Sequence, residues 1–225
     1  MKSQAPKLVH IEDDAWSTQI VRTLVKRWPD VRHAGTAATA AAGYALCVDA
    51  APAVALVDLR LPDTDGFTLA RSLRSLPHAP RLVFLTGRAD EAALFQLSRD
   101  PAAGFLWKSS AVADHLRPAV LAALAGRAYQ PPEVRERLAA MRRDPVAFHK
   151  LFGESDLALL PLFGRGLSDD EIAAATGRAP LTIKWRRHQI MRKLDLHKAS
   201  DLMRWARAKG FVDEAGGAAS CEPAA

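Results

Sequence analysis

The chain has 225 residues and a mass of 24.4 kDa, with 49% apolar and 25% charged residues. This is room for one or two domains of ordinary globular composition, and it excludes a wholly disordered chain. No stretch approaches the ~18 uncharged apolar residues of a spanning helix. The formal net charge is +6, a total that does not by itself localise the basic character.

In chain order, Lys7–Glu12 reads as a short apolar strand. Ala15–Trp28 follows as a helix, with Trp16, Ile20, Leu24 and Trp28 on one face beside Val21 and Val25. Val31–Gly35 is a second strand, and Thr36 is the predicted cap of an Ala-rich buried helix reaching Ala50. Val54–Leu59 is a continuous apolar strand that runs into an acid. Phe67–Leu76 is a helix, Arg81–Thr86 a strand, Asp90–Arg99 a helix, Gly104–Trp107 a strand and Val112–Arg127 a helix. Strands alternating with helices imply parallel crossovers. The predicted class is α/β, a doubly wound five-stranded parallel sheet.

After Pro131-Pro132 the strand pattern stops. Glu133–Arg143 is a charged helix, and four helical segments follow at about 155–164, 169–176, 181–194 and 199–209. Pro161 lies inside the first of them, so a kink or a break near Leu157 is predicted. This half is all-α. Residues 212–225 are small and polar, a predicted disordered tail. Met1–Lys7 has no apolar run, so no signal peptide is expected. The two cysteines, Cys47 and Cys221, supply neither a disulfide framework nor a CxxC metal pair. The expected compartment is cytoplasmic, with no membrane partner.

In an open parallel sheet, function collects beyond the carboxyl ends of the strands. There the sequence places Glu12-Asp13-Asp14, Asp58, Thr86 and Lys108. Crowded carboxylates repel, and a hard divalent cation such as Mg²⁺ relieves this. Asp58 is then a candidate nucleophile towards a phosphoryl group, Lys108 a neutraliser of its charge and Thr86 a hydrogen-bond donor. Each acid alone could be a helix cap; the joint placement favours a site.

Residues 7–127 resemble the receiver domain of two-component response regulators. Glu12-Asp13, the run Asp58–Gly66 with Pro62 and Gly66 in place, Thr86, and Phe105-Leu106-Trp107-Lys108 carry the resemblance. It implies that Glu12, Asp13 and Asp58 hold Mg²⁺ with the backbone carbonyl of Arg60. It also implies that Asp58 accepts phosphate from a histidine kinase, and that Phe105 turns inward as Thr86 moves. The implied protein is no enzyme beyond its own phosphotransfer and dephosphorylation. Arg60 and Arg88, each two positions past a functional residue, are either exposed surface arginines or tune the lifetime of the aspartyl phosphate.

Residues 182–198 hold Lys184, Arg186, Arg187, Arg192, Lys193 and Lys198 against Asp195 alone. Such a cluster is either a solvated helix face or a nucleic-acid contact. Ser168 and Glu171 form a predicted capping box, Gly177 ends that helix, and Pro180 opens the next. Two helices with a tight turn and a basic second helix describe a helix-turn-helix. Lys184 and His188 are the base-edge candidates, and Trp185 an apolar contact to a thymine methyl unless it is a core aromatic. Thr182, Arg187 and Arg192 are candidate phosphate contacts. Residues 152–211 resemble the LuxR/FixJ/NarL-type DNA-binding domain, carried by Gly166-Leu167-Ser168, Glu171-Ile172-Ala173, Gly177, Thr182-Ile183-Lys184, Arg187, Ile190 and Arg192-Lys193-Leu194.

The expected organisation is therefore a receiver at 1–128, a partly helical linker at 129–150, a four-helix helix-turn-helix domain at 151–211 and the tail. The expected function is phosphorylation-controlled transcription through double-stranded DNA, as a homodimer when phosphorylated, with Leu202, Met203 and Trp205 as dimer candidates and Ala206 beside them. Three other readings compete with this one. A regulator indifferent to phosphate is disfavoured by the intact pocket. A phosphatase of the haloacid-dehalogenase kind needs an acid where Arg60 stands. A receiver acting only through protein partners leaves the basic helix unexplained.

Overall fold

The computed structural model describes residues 5–87, 90–100, 104–109, 112–145 and 147–212. They group into two compact units, one built on a sheet and one comprising residues 90–95 and the helices from residue 138 onward. Arg88, Pro101, Cys221 and the predicted tail from Asp213 onward lie outside the described residues.

The first unit contains β1 (Lys7–Ile11), α1 (Ala15–Val25), β2 (Arg32–Ala37), α2 (Ala40–Ala50), β3 (Val54–Val57), α3 (Gly66–Arg74), β4 (Arg81–Thr86), β5 (Gly104–Trp107) and α5 (Val112–Leu124). The helix between β4 and β5 is α4 (Glu91–Ser98). The five strands are parallel in the order β2-β1-β3-β4-β5. Strands buried on both faces read as continuous apolar runs, as Val54–Val57 does. On one face Leu8, Leu56, Val83 and Leu85 pack with Val21 and Val25 of α1 and Leu116 and Val120 of α5. On the other face the Phe67 ring of α3 lies 5.2 Å from Phe84. A Cβ at Gly43 of α2 would come within 2.7 Å of Ile11, so glycine is what lets that helix approach β1.

Several elements differ from their sequence reading. Thr36 is not a cap, because β2 runs on to Ala37 in register with Ile11. Thr39 caps α2 instead, accepting from Ala42 N. The carboxylate of Asp63 takes the amides of Ala40 and Ala41 at 2.8 and 2.9 Å. Three of the donors that a helix start leaves open are thus satisfied. The Ala-rich α2 is only half-buried: Ala40, Gly43 and Cys47 face inward, while Val48 is 57% exposed. In α1 the buried residues are Val21 and Val25, and Trp16 at the helix start is 75% exposed.

Residues 129–137 are part of the first unit. The Phe105 amide donates to the Tyr129 carbonyl at 2.8 Å, Tyr129 meets His115 at 2.8 Å, and Val134 of α6 (Pro132–Arg143) is buried.

The second unit has more helices than the sequence reading allowed: α7 (Phe148–Leu151), α8 (Glu154–Leu157), α9 (Leu160–Gly164), α10 (Asp169–Thr176), α11 (Pro180–Lys193) and α12 (Ala199–Ala208). The predicted first segment breaks after Leu157, and Pro161 lies in the first turn of α9. At that position its missing N–H removes no intrahelical bond, which is how the chain tolerates it. Phe148, Leu160, Phe163, Ile172, Ile183, Ile190 and Leu202 form one core.

Candidate functional site

Glu12, Asp58 and Lys108 each sit one step past a strand, fixed by a ladder bond to the neighbouring strand. Glu12 N donates to Ala37 O at 2.8 Å, Asp58 N to Ile11 O at 3.0 Å and Lys108 N to Thr86 O at 2.9 Å. Backbone order alone therefore brings together residues far apart in the chain. Lys108 Nζ lies 2.6 Å from Asp58 Oδ2 and 2.6 Å from Glu12 Oε2. Glu12, Asp58 and Thr86 are buried, and Asp13 is exposed at the rim.

Three carboxylates, Glu12, Asp13 and Asp58, each offer an oxygen within 4.8 Å of the others. Asp58 Oδ1 is buried with no hydrogen-bond partner. A hard divalent cation fits both facts, since it binds oxygen ligands and relieves carboxylate repulsion. Asp14, next in sequence, is used otherwise: it caps α1 by accepting from Ser17 N at 2.7 Å.

The charges respond to this crowding. Burial raises the Glu12 carboxyl, and the hydrogen bond from Lys108 opposes it. For Lys108, burial works against the charge, but hydrogen bonding to Asp58 and the Asp58 and Glu12 charges outweigh it and hold the ammonium above the ordinary lysine range. His10 lies two residues back on β1, fully buried, with neither ring nitrogen hydrogen-bonded. Burial chiefly, then the Lys108 and His33 charges, push its pKa down to about 3. It is therefore a neutral ring, and its 3.8 Å approach to Glu12 is no ion pair.

The loop after Asp58 folds back on itself. Arg60 bridges Asp65 in antiparallel fashion, and Gly66 N donates to Leu59 O at 3.0 Å. Asp65 caps α3, accepting from Phe67 N and Thr68 N at 3.0 Å. A Cβ at Gly66 would collide with the Asp58 carbonyl oxygen, so only glycine closes this loop beneath the acid. Arg60 itself is exposed on the loop. Phe105 is buried, its ring edge-on to Trp107 at 5.9 Å.

In the second unit Ser168 and Glu171 form the predicted capping box, and Gly177 closes α10 with a φ of 64°, a left-handed value that glycine adopts at no steric cost. Pro180 opens α11. Ile183, Ile190 and Met191 bury one side of α11. Thr182, Lys184, Trp185, His188 and Arg192 are exposed on its solvent side. Trp185 is 59% exposed and so is not a core aromatic.

Arg187 departs from its sequence reading as a phosphate contact. Its Nε donates to Asp169 Oδ1 at 2.9 Å and its Nη2 to the Leu167 carbonyl at 3.0 Å. The guanidinium also covers the Phe163 ring at 4.7 Å. These contacts commit it to fixing α11 against α10. Leu202 and Ala206 are fully buried in their unit's own core, which removes them from any dimer surface. Trp205 is half-buried and packs edge-on against Phe152 at 6.1 Å, and Met203, also half-buried, is the remaining candidate. Leu181, 77% exposed, is a candidate that sequence reasoning missed. It stands four residues before Trp185, a spacing readable from the sequence alone.

A family model described as the response regulator receiver domain matches residues 8–120. The probable transcriptional regulatory protein NarL of Mycobacterium tuberculosis is 31% identical over 186 residues, covering 81% of this chain and 85% of that protein. A crystal structure of a LuxR-family two-component response regulator from Aurantimonas sp. SI85-9A1 superposes with a TM-score of 0.56 at 26% identity, over 63% of this chain and all of that one. RcsB of Salmonella enterica serovar Typhimurium, bound to a promoter with a phosphomimetic, shares the fold over 90% of this chain at 22% identity and a TM-score of 0.64. The chain belongs to the response regulator receiver family and is a two-component response regulator of the NarL/FixJ type. It is a phosphorylation-dependent transcription regulator. Among the described residues, no helix is long and apolar enough to cross a membrane.

Proposed function

We propose that Asp58 takes a phosphoryl group from a histidine kinase, and that the phosphorylated chain binds double-stranded DNA through α11. The carrying observation is the Asp58 carboxylate itself: buried, held at Oδ2 by Lys108 and with no hydrogen-bond partner at Oδ1. An Asp58 oxygen attacks phosphorus as the bond from phosphorus to the kinase's imidazole nitrogen breaks. The electron pair returns to the ring. Lys108 neutralises phosphoryl charge, and the Thr86 hydroxyl donates to a phosphoryl oxygen. Mg²⁺, held by Glu12, Asp13, Asp58 and the Arg60 carbonyl, supplies further charge neutralisation when bound. Phe105, buried beside Thr86's strand, carries the change outward.

The domain limits follow the same reading: a receiver to residue 128, a helical connector, and a DNA-binding domain at 151–211. In the latter, Lys184 and His188 reach base edges, and Thr182 and Arg192 touch phosphates. One such helix reads few base pairs, so a homodimer on paired half-sites supplies specificity. Met203 is its nearest candidate surface.

Incubation with Mg²⁺ and phosphoramidate, followed by peptide mapping, tests the pocket; an acyl phosphate on any other residue overturns it. Binding-site selection from random duplexes tests the helix. A Lys184→Ala chain with unchanged affinity and sequence preference overturns that part.

A further inference from the structure

Residues 181, 185, 188 and 192 follow the i, i+4, i+7, i+11 spacing of a single helical stripe. In α11 that stripe reads Leu181, Trp185, His188 and Arg192, and all four are exposed. The opposite stripe carries Ile183 and Ile190, both fully buried. The solvent stripe is thus divided by chemistry, with two large apolar side chains at its N-terminal end and groups able to carry positive charge after them. Leu181 and Trp185 are 77% and 59% exposed, more than the small domain needs for its own core, which is complete without them.

Exposed large apolar side chains next to a basic surface ask for a partner that is anionic overall and apolar locally. Duplex DNA is such a partner at one kind of position. In the major groove every base edge presents hydrogen-bonding groups, and the thymine C5-methyl is the apolar feature. A recognition helix of this kind presents its N-terminal residues to the base edges, which is the end where Leu181 and Trp185 stand. A G·C pair facing them would also lose water from its polar groups but offers no methyl in return, which disfavours it.

We infer that Leu181 and Trp185 form an apolar pair that reads two thymine methyl groups, and so set the half-site's preference for thymine at two nearby positions. The inference rests on the DNA-binding reading above and deepens it. Four residues of helix rise about 6 Å, close to two base steps of about 3.4 Å. The two thymines therefore lie within about two steps of each other. Lys184 and His188, beside the pair, read neighbouring polar edges, and Arg192 engages the backbone.

The test uses the full-length phosphorylated chain and a duplex taken from site selection, with deoxyuridine replacing each thymine in turn. This removes one methyl and leaves pairing intact. Two positions should each lose about fourfold in affinity, the scale of one buried methyl group. Leu181→Ala should abolish the sensitivity at one position and Trp185→Ala at the other. Both side chains are exposed, so neither truncation touches the core. No affected position, or a pattern unchanged in both variants, overturns the proposal. So does a fall in self-association of the DNA-free variants with the deoxyuridine pattern intact, which assigns the pair to a protein contact. A selected duplex that weakens with Lys184→Ala yet ignores deoxyuridine defeats only the methyl reading. Failure to select any duplex defeats the DNA reading and this one with it.

Discussion

Lys108 Nζ stands 2.6 Å from Oδ2 of Asp58, close enough that the ammonium occupies space an incoming phosphoryl oxygen would share. The same nitrogen holds Glu12 Oε2, so the lysine binds two acids until a third anionic group competes for it. Asp58→Asn keeps the side chain's size and removes the nucleophile. It should take up no acyl phosphate from phosphoramidate and Mg²⁺ under conditions that label the parent chain, measured by intact mass. Undiminished labelling places the acceptor elsewhere.

Arg187 separates a structural arginine from a DNA contact. Arg187→Ala should lower the stability of the second unit by about 2 kcal/mol, the scale of lost charge-assisted hydrogen bonds. Arg187→Lys keeps the charge but not the fork that spans Asp169 and Leu167, and should lose nearly as much. The salt slope of DNA binding should stay as it was for Arg187→Lys and fall by about 0.9 for Arg192→Ala. Urea unfolding and salt titrations measure the two quantities separately.

The pocket was legible in the sequence because parallel strands end in register, so a hydrophobic run followed by an acid already marks the sheet's active edge. Glu12 and Asp58 follow this rule, and Thr86 and Lys108 stand at the same ends of β4 and β5. What was not legible depended on where chains cross. Arg187 looks like any cation on a basic helix until Asp169 is folded 18 positions away to meet it. Thr36 and Thr39 are equivalent caps by composition, and only the pairing of Ala37 with Ile11 decides between them. Trp16 falls on an i, i+4 row with Ile20 and Leu24, yet the sheet meets α1 one position round, at Val21 and Val25.

His10 makes the first unit sensitive to acid. Its folded pKa, about 3, lies below the ordinary value of 6.5. Between these values the unfolded chain binds a proton that the folded chain refuses, so stability rises with pH across that window and is lost as pH falls through it. Without metal, stability should drop by about 2 kcal/mol more between pH 8 and pH 5 in the parent chain than in His10→Leu. Urea melts in EDTA at the two pH values measure this, and equal drops would refute it.

Asp63 ties the loop after Asp58 to the start of α2 through the Ala40 and Ala41 amides. Burial raises its carboxyl, but the backbone donors together prevail and hold it below the usual range. Asp63→Ala should cost about 1 kcal/mol, as loss of a helix cap does. Amide exchange should quicken in the first turn of α2 and leave α5 unaffected.

A phosphoryl mimic should raise the dimer fraction at fixed protein and Mg²⁺ concentration in sedimentation. Met203→Glu should reduce that rise, whereas Leu202→Ala should unfold the second unit's core by several kcal/mol, about 3, and report nothing on assembly.

The pocket's residues come from the ends of separate strands, with Lys108 50 positions beyond Asp58 and β5 at the far edge of the sheet from β2. A chain still being synthesised, or one whose last strand has not docked, has the acids without the lysine. Non-local pairing of this kind forms late and slowly. On the proposed reading, a phosphoryl group on Asp58 would depend on β5 having docked, so a chain with an unclosed sheet should take up none from a kinase.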